Sequence, residues 1–225
     1  MVATDLDGTL IRSDGTISSR SLAAIKAAAD AGLLVVFVTG RPPRWLDDVA
    51  DSTGHVGVAV GANGAVLYDL ASEEVLLAHW LEPPVLEALT SDIRAAFPDV
   101  AFGAEYGDGF GAEPAYVHDW AINPPAVRGG RVVAPPFVGA LSEVISRPAI
   151  KLLVKDRGAD VDEFLASAST LLGGRATITH SSLFGLLELA APGVDKGTGL
   201  AELAARSGIA PAEVVAIGDM PNDVP

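Results

Sequence analysis

The chain has 225 residues, 49% of them hydrophobic, which is enough to bury a large core in one or two domains. Its 29 Asp and Glu residues outnumber 15 Lys and Arg, so the net charge of -14 leaves no broad cationic surface and argues against a nucleic-acid partner. The absence of cysteine excludes disulfides and thiolate metal sites. The longest apolar run, Leu33 to Val38, is far shorter than a membrane helix, and no charged leader precedes an apolar stretch, so we expect a cytoplasmic protein without a membrane partner.

The first predicted element is a strand in the opening MVATDLDGTL, which leads into Asp5 and Asp7. Side chains at positions i and i+2 of an extended chain point the same way, so these two carboxylates are expected to crowd one face. Like charges at close range raise each other's pKa unless a cation or hydrogen bonds intervene. Because this pairing lowers stability as architecture alone, it indicates a functional site.

The next segments alternate between helix and strand signals. LLVVFVTG is a continuous apolar run, typical of a strand buried on both faces, and it ends in Thr39 and Gly40. Strands separated by helices favour a parallel sheet. The other predicted elements of this region are a helix over Ser19 to Ala31 that stops at Gly32, a helix around Arg44 to Ser52, a strand at Val56 to Val60 and a hairpin turn at Asn63-Gly64.

From about Pro83 the composition changes to Gly- and Pro-rich segments, with helix and strand patterns between them. We predict an inserted α+β domain over residues 81–186 and a core built from residues 1–80 and 187–225. In the returning segment, LLELA is predicted as a core strand, KGTGLAELAARSG as a helix, and EVVAIGD as a buried strand that closes the core. The predicted fold class is therefore α/β, a doubly wound, Rossmann-like, mostly parallel sheet with an inserted α+β domain.

Polar residues follow several predicted strands and begin one helix. Thr39 ends the second strand, Lys196 begins a helix, and the last strand runs into GDMPND with Asp219 and Asp223. Ligands of open parallel sheets bind beyond the carboxyl ends of the strands, so Asp5, Thr39 and Asp219 are expected to share a site. A lysine at a helix N-terminus faces an unfavourable dipole, which indicates an anion nearby.

With these residues the sequence resembles the haloacid dehalogenase superfamily of phosphohydrolases. DLDGT matches its first motif, Thr39 the second, Lys196 the third and GDMPND the fourth. The late insertion is similar to the Cof-type branch, which carries an α/β cap of the larger, C2 type. The resemblance implies a further helix and a strand or two after GDMPND, whereas this chain stops at Pro225, so the loop of Asp223 is expected to lie near a free end where fraying is common.

The residue types suit hydrolysis of a phosphate ester of a small metabolite. Asp5 is the expected nucleophile, forming an aspartyl phosphate, and Asp7 the expected general acid and base. Asp5, Asp219 and Asp223 offer hard oxygen ligands that point to Mg²⁺, and the resemblance implies that the carbonyl of Asp7 joins them. The expected phosphate contacts come from the Thr39 hydroxyl, the Lys196 ammonium, backbone N–H groups at Gly8 and Thr9, and the segment Gly40-Arg41.

Several residues keep two interpretations at this level. Arg41 is either a phosphate-side cation or a surface ion-pair partner, Asn222 orients substrate or only its own loop, and Asp223 is a metal-site residue or a cap of the following turn. Asp195 is interpreted first as an N-cap. Three residues of the inserted segment, Glu113, Tyr116 and His118, are expected to be packed or solvated rather than to contact substrate.

Two other functions stay open. A phosphomutase would use the same aspartyl phosphate but return the phosphoryl group to its substrate. A receiver-like signalling module also gathers acidic residues, a hydroxyl and a lysine at strand ends, although the insertion of about 100 residues and Asp7 two places after Asp5 argue against it.

Overall fold

The computed structural model describes residues 1–116, 127–128, 131–132, 135–180 and 185–224, which fall into two units. The first unit joins residues 1–78 to 194–225, and the inserted unit comprises residues 79–193. Within the described residues, no helix is both long enough and apolar enough to span a membrane.

The chain begins with alternating strands and helices, as its patterns predict. Helix α1 starts after Ser18, whose side chain accepts a hydrogen bond from the Ser21 N–H, and it ends before Gly32. One 3-10 turn, Ala62–Gly64, joins the third strand to the fourth, and another, Pro43–Trp45, precedes the second helix. The elements are β1 (Val2–Thr4), α1 (Ser19–Asp30), β2 (Val35–Val38), α2 (Asp47–Thr53), β3 (Val58–Gly61), β4 (Val66–Asp69) and β5 (Glu74–Ala78).

The inserted unit contains a mixed sheet of six strands, in the order β10 (Phe137–Val138), β7 (Gly109–Ala112), β6 (Ala101–Tyr106), β11 (Lys151–Lys155), β13 (Leu186–Ala190) and β12 (Thr177–Thr179). Neighbouring strands are antiparallel except β10 and β7, which are parallel. Helices α3 (Pro83–Ala96) and α5 (Val161–Leu172) pack their apolar side chains against this sheet, where they meet Phe102 and Leu152. The elements are α3 (Pro83–Ala96), β6 (Ala101–Tyr106), β7 (Gly109–Ala112), β8 (Val127–Arg128), β9 (Arg131–Val132), β10 (Phe137–Val138), α4 (Leu141–Val144), β11 (Lys151–Lys155), α5 (Val161–Leu172), β12 (Thr177–Thr179) and β13 (Leu186–Ala190).

The chain then completes the first unit with α6 (Lys196–Arg206) and β14 (Val215–Ile217), followed by a 3-10 turn at Pro221–Asp223. Its sheet has the order β14-β1-β2-β3-β4-β5, with the first four strands parallel and the last two added antiparallel. Side chains of α1 and α2 pack with Phe37 on one face, and those of α6 pack with Val36 and Val38 on the other. The predicted α/β class, with a doubly wound, mostly parallel sheet and an inserted α+β unit, is confirmed.

Two predicted strands differ from expectation. The LLELA segment is strand β13, but it pairs with β11 and β12 in the inserted sheet, so the first unit resumes at Val194 rather than at residue 187. An apolar strand sequence cannot tell one sheet from another, because both bury it equally. Strand β14 is not buried: Val215 is 60% and Ile217 53% exposed, because β14 is the edge of its sheet in the described structure.

Candidate active site

The carboxyl ends of three parallel strands meet at one edge of the first unit's sheet. Thr4, the last residue of β1, lies opposite Phe37 in β2 and Ile217 in β14. The next residue, Asp5, donates its N–H to the Ile217 carbonyl at 2.9 Å. The register therefore delivers Asp5, Thr39 and the GDMPND loop to the same edge.

A buried lysine joins two of the predicted carboxylates. Lys196 Nζ donates to Asp5 Oδ1 at 2.7 Å and to Asp223 Oδ1 at 2.6 Å. Lys196 is the first residue of α6, and Asp195 caps this helix by accepting the Thr198 N–H at 2.7 Å, as predicted. Two carboxylates compensate the unfavourable helix dipole at this ammonium group.

The charge balance around Asp5 is incomplete. Burial raises the pKa of Asp5 above its ordinary value, and the hydrogen bond and positive charge of Lys196 oppose that rise, while the charge of Asp223 adds to it. The net direction is upward, which means that one lysine does not fully compensate the buried carboxylate. A further cation beside Asp5 would favour its ionised form.

Three carboxylates stand close enough to share one cation. Oxygen atoms of Asp5, Asp219 and Asp223 all lie within 4.8 Å of one another. Asp219 is held by Thr9, whose Oγ1 donates to Asp219 Oδ1 at 2.8 Å. Gly8, with φ +92°, lies against the Asp219 carboxylate so closely that a Cβ atom there would overlap it. This set of hard oxygen donors with excess negative charge fits Mg²⁺.

Asp223 also organises its own loop. Its Oδ2 accepts the N–H groups of Asp219 at 3.1 Å and Met220 at 2.9 Å, so the same carboxylate caps the 3-10 turn and pairs with Lys196. The two interpretations that the sequence left open for Asp223 are thus compatible in one geometry.

Asp7 and Asp5 lie in different environments, which contradicts the expectation that both side chains crowd one face of the strand. Strand β1 ends at Thr4, and the chain turns through Gly8, so the alternation rule does not extend to Asp7. The Asp7 side chain is 57% exposed, and Arg41 holds it by two hydrogen bonds, Nε to Oδ2 at 2.8 Å and Nη2 to Oδ1 at 2.5 Å. Each aspartate therefore has its own cation, Lys196 or Arg41.

The backbone and hydroxyl groups that were expected to contact phosphate differ in the hydrogen bonds they already make. The Gly8 N–H, expected to approach phosphate, instead donates to the Ile11 carbonyl at 2.9 Å, because the loop closes on itself there. Thr39 is buried and directly follows β2. Its Oγ1 accepts the Arg41 N–H at 3.1 Å, and this bond does not use the hydroxyl hydrogen. Gly40 lies between these two residues, and its Cα faces the side chain of Asn63.

Asn63 is in contact with the candidate site, although its sequence pattern was not interpreted in that way. Its dipeptide Asn63-Gly64 was interpreted as a hairpin turn, and β3 and β4 do form an antiparallel hairpin around it. Asn63 Oδ1 also accepts a hydrogen bond from Asn222 Nδ2 at 3.3 Å, and Asn63 itself is buried. A polar residue just beyond the carboxyl end of a parallel strand was the available signal.

Two of the three residues considered in the inserted segment are described, and their contacts lie within their own unit. Glu113 pairs with Arg94, Oε2 to Nη2 at 2.6 Å, and accepts the Phe102 N–H, which is a packed role. Tyr116 is buried beside Phe110, and burial raises the pKa of its hydroxyl. His118 lies outside the described residues.

Residues 2–225 match the family described as haloacid dehalogenase-like hydrolase. The match spans nearly the whole chain, including the four motif regions and the inserted unit, in agreement with the predicted resemblance. The chain therefore belongs to the haloacid dehalogenase-like hydrolase family.

Three curated relatives share about a quarter of their aligned residues with this chain. The chain is 26% identical over 98% of its length to an endoribonuclease YBEY, chloroplastic, from Arabidopsis thaliana, but it spans only 38% of that protein. It is 24% identical to a phosphoglycolate phosphatase from Methanoculleus marisnigri, covering 99% of this chain and 77% of the relative. It is 27% identical to an HMP-PP phosphatase from Cronobacter sakazakii, covering 98% and 78%.

A solved structure has the same fold. BT1666 from Bacteroides thetaiotaomicron, a phosphatase of the haloalkanoate (HAD) enzyme superfamily, superposes with a TM-score of 0.77 at 21% identity, over 100% of this chain and 78% of the other. At this identity the similarity establishes the fold alone.

Proposed function

We propose that this protein is a Mg²⁺-dependent phosphatase that hydrolyses a small phosphorylated metabolite through an aspartyl phosphate on Asp5. The observation that carries the proposal is the buried bridge from Lys196 to Asp5 and Asp223, with Asp219 in the same cluster. Burying an ammonium group among several carboxylates destabilises a fold unless a ligand or ion completes the charge balance. Three carboxylates around one ammonium group leave an excess of negative charge, so it is a dication that supplies this balance. The dication and Lys196 together then offset the charge of a bound phosphoryl group.

In the first half-reaction, a carboxylate oxygen of Asp5 attacks phosphorus, and the bond between phosphorus and the ester oxygen breaks. Asp7 donates its proton to the departing oxygen, so that an alcohol leaves. Lys196 keeps Asp5 oriented before attack and neutralises phosphoryl charge during it. The hydroxyl of Thr39 donates a hydrogen bond to a phosphoryl oxygen.

In the second half-reaction, water attacks the phosphorus of the aspartyl phosphate. Asp7, now ionised, takes the proton of that water, and inorganic phosphate leaves while the Asp5 carboxylate is regenerated. Asp7 thus performs acid and base work in turn, which suits its exposed position at the margin of the site. Arg41 donates to both oxygens of ionised Asp7 and orients it as the base of this step. For Asp7 to act as the acid of the first step, one of these two hydrogen bonds opens and the released oxygen carries the proton.

Asp5, Asp219 and Asp223 would hold the Mg²⁺, with the main-chain carbonyl of Asp7 as the further ligand that family resemblance implies. When bound, the ion supplies charge neutralisation to the phosphoryl oxygens and to the buried carboxylates. The close approach of Gly8 to Asp219 supports this assignment, because only a residue without a side chain leaves the carboxylate in place.

The substrate class is a small phosphate ester, with the inserted unit as a cap domain that sets specificity. Names of relatives support this class, since they include a phosphoglycolate phosphatase and an HMP-PP phosphatase. The same names favour hydrolysis over phosphoryl transfer within one substrate, and the family match across the insertion disfavours a receiver-like module. We therefore place the phosphatase ahead of both alternatives.

The test is release of inorganic phosphate from sugar phosphates, nucleotides, phosphoglycolate and HMP-PP, with Mg²⁺ and with EDTA. We expect wild-type protein to release phosphate with Mg²⁺ only, and Asp5→Asn to be at least about 1000-fold slower because the nucleophile is lost. Asp14→Asn is the matched control, since Asp14 is an exposed aspartate whose carboxylate bonds to Thr16.

Two results would contradict the proposal. Phosphate release by Asp5→Asn at the wild-type rate would eliminate Asp5 as nucleophile. Migration of a phosphoryl group within a substrate, without free phosphate, would instead identify a phosphomutase.

A further inference from the structure

The turn between β3 and β4 has a strained backbone. Ala62 has φ +52° and Asn63 has φ +56°, and neither residue is glycine. Both are buried, at 0% and 3% exposure. Left-handed backbone at a non-glycine residue costs free energy and persists where surrounding contacts impose it, often at functional sites.

The contacts of Asn63 reach two segments that carry site residues. Its N–H donates to the Thr39 carbonyl at 2.9 Å, directly beyond the end of β2. Its Oδ1 accepts from Asn222 Nδ2 at 3.3 Å, in the loop that also carries Asp219 and Asp223. Gly40 makes room for this amide, because a Cβ on Gly40 would lie 3.0 Å from Asn63 Oδ1.

The other end of the turn rests on the helix that carries Lys196. A Cβ on Gly64, which has φ +95°, would overlap the Asp195 carbonyl, and a Cβ on Gly199 would lie 2.7 Å from the Gly64 Cα. The turn therefore touches the segments of Thr39, Lys196 and Asn222 together.

The amide of Asn222 is held at one end and open at the other. Asn63 engages its Nδ2, while its Oδ1 is buried and has no hydrogen-bond partner among the described residues. Buried amide oxygens are nearly always paired, so an open one is a position for a ligand or a water. Because Asn63 holds the Nδ2 end of this amide, it sets the direction of Asn222 Oδ1.

We infer that Asn63 is a positioning residue that holds the Asn222 side-chain amide in the orientation used during phosphate-ester hydrolysis. This inference rests on the proposed function for its catalytic consequence, but the contact itself is independent of any activity. Asn63 acts through Asn222, not on the substrate directly. Its left-handed backbone is the strained conformation that brings its side chain to Asn222.

The test uses the full chain with Asn63→Gly, which removes the amide but accepts a positive φ without strain. Glu73→Gly is the matched control, because it replaces another left-handed residue, φ +58°, in the β4–β5 hairpin. We expect kcat to fall about tenfold in Asn63→Gly and to stay at the wild-type value in Glu73→Gly. The double variant Asn63→Gly with Asn222→Ala should be no slower than Asn222→Ala alone, because Asn63 acts only through that amide.

A second readout needs no substrate. The side-chain NH₂ signals of Asn222 in ¹⁵N-labelled protein are expected to shift toward those of a solvated amide in Asn63→Gly and to stay in place in Glu73→Gly. The reciprocal variant Asn222→Ala should shift the Asn63 side-chain signals, which keeps the test open if Asn63→Gly folds poorly.

The outcomes separate this inference from the proposed function. Unchanged Asn222 signals in folded Asn63→Gly, or fully additive losses in the double variant, would overturn the positioning role. Shifted signals together with an inactive wild-type protein would support the contact while contradicting the phosphatase. Phosphate release by the wild-type protein, together with unchanged Asn222 signals in folded Asn63→Gly, would support the phosphatase while contradicting the positioning role.

Discussion

At the scale of single residues, identical side chains acquire different properties from their partners. Asp5 is buried and pairs with Lys196, whereas Asp7, two positions on, is mostly exposed and pairs with Arg41. Enzymes that need one carboxylate charged and another able to exchange a proton separate the two environments in this way. The proposed division of work between Asp5 and Asp7 requires such different environments.

The role of Arg41 can be decided by kinetics. The sequence left it as either a phosphate-side cation or an ion-pair partner, and its guanidinium donates two hydrogen bonds to Asp7. We therefore expect Arg41→Gln to lower kcat by about 10- to 100-fold with a smaller change in KM, because a misplaced Asp7 transfers protons poorly. Steady-state phosphate release measures both parameters.

The control for this variant is Arg44→Gln, on the neighbouring 3-10 turn, where the guanidinium lies over the Trp45 ring at 4.9 Å from its centroid. It should keep the wild-type kcat. If Arg41→Gln instead raises KM and leaves kcat intact, Arg41 binds the phosphate of the substrate and does not position Asp7.

At the scale of elements, short turns at strand ends place the site residues. The strands bring the chain to one edge of the sheet, but the turn at Ala62–Gly64 and the loop through Gly8 set the final positions. Both depend on glycine for close approach, Gly64 to the start of α6 and Gly8 to Asp219. The strands thus bring the chain to one edge of the sheet, and the turns bring its segments into contact there.

The packing of this turn predicts an unequal response to two similar substitutions. Gly64→Ala meets both a left-handed backbone and the Asp195 carbonyl, whereas Gly32→Ala, at φ +80°, meets no atom within 4 Å. We expect Gly64→Ala to lower the free energy of unfolding by about 2–5 kcal/mol and Gly32→Ala by about 1–2 kcal/mol. Urea unfolding of both variants measures the difference, and equal losses would show that backbone strain alone matters at Gly64.

At the scale of the whole molecule, each unit has a core of its own. The large apolar cluster around Phe102 and Leu152 is formed by residues of the inserted unit. The clusters around Phe37 and Val36, on the two faces of the parallel sheet, are formed by residues of the first unit. Separate cores allow the two units to differ in local stability.

Core substitutions should therefore act locally. Leu152→Ala and Val36→Ala both truncate side chains of 0% exposure, one in each unit. We expect Leu152→Ala, which costs about 2–5 kcal/mol, to speed amide hydrogen exchange in β6, β11 and β13 and to leave β2 protected. Val36→Ala should show the reverse pattern, and a uniform loss in both units for either variant would indicate a single cooperative unfolding step.

Much of the fold was predictable because its signals are local. The Ser18 cap and Gly32 stop delimit α1, the apolar run 35–38 is a strand buried on both faces, and Asp195 caps α6. The sheet membership of β13 and the exposure of β14 were not predictable, because a short apolar run has the same pattern in either sheet and at its centre or edge.

The sequence by itself determined the family and the candidate site residues, because DLDGT, Thr39, Lys196 and GDMPND occur in order at predicted strand and helix ends. Only the tertiary structure decided which of these side chains are partners. Lys196 is 191 positions from Asp5, and Asn63 is 159 positions from Asn222. Such pairs depend on strand register and on the packing of the whole unit, which the local sequence does not specify even where, as at Asn63-Gly64, it predicts the turn itself.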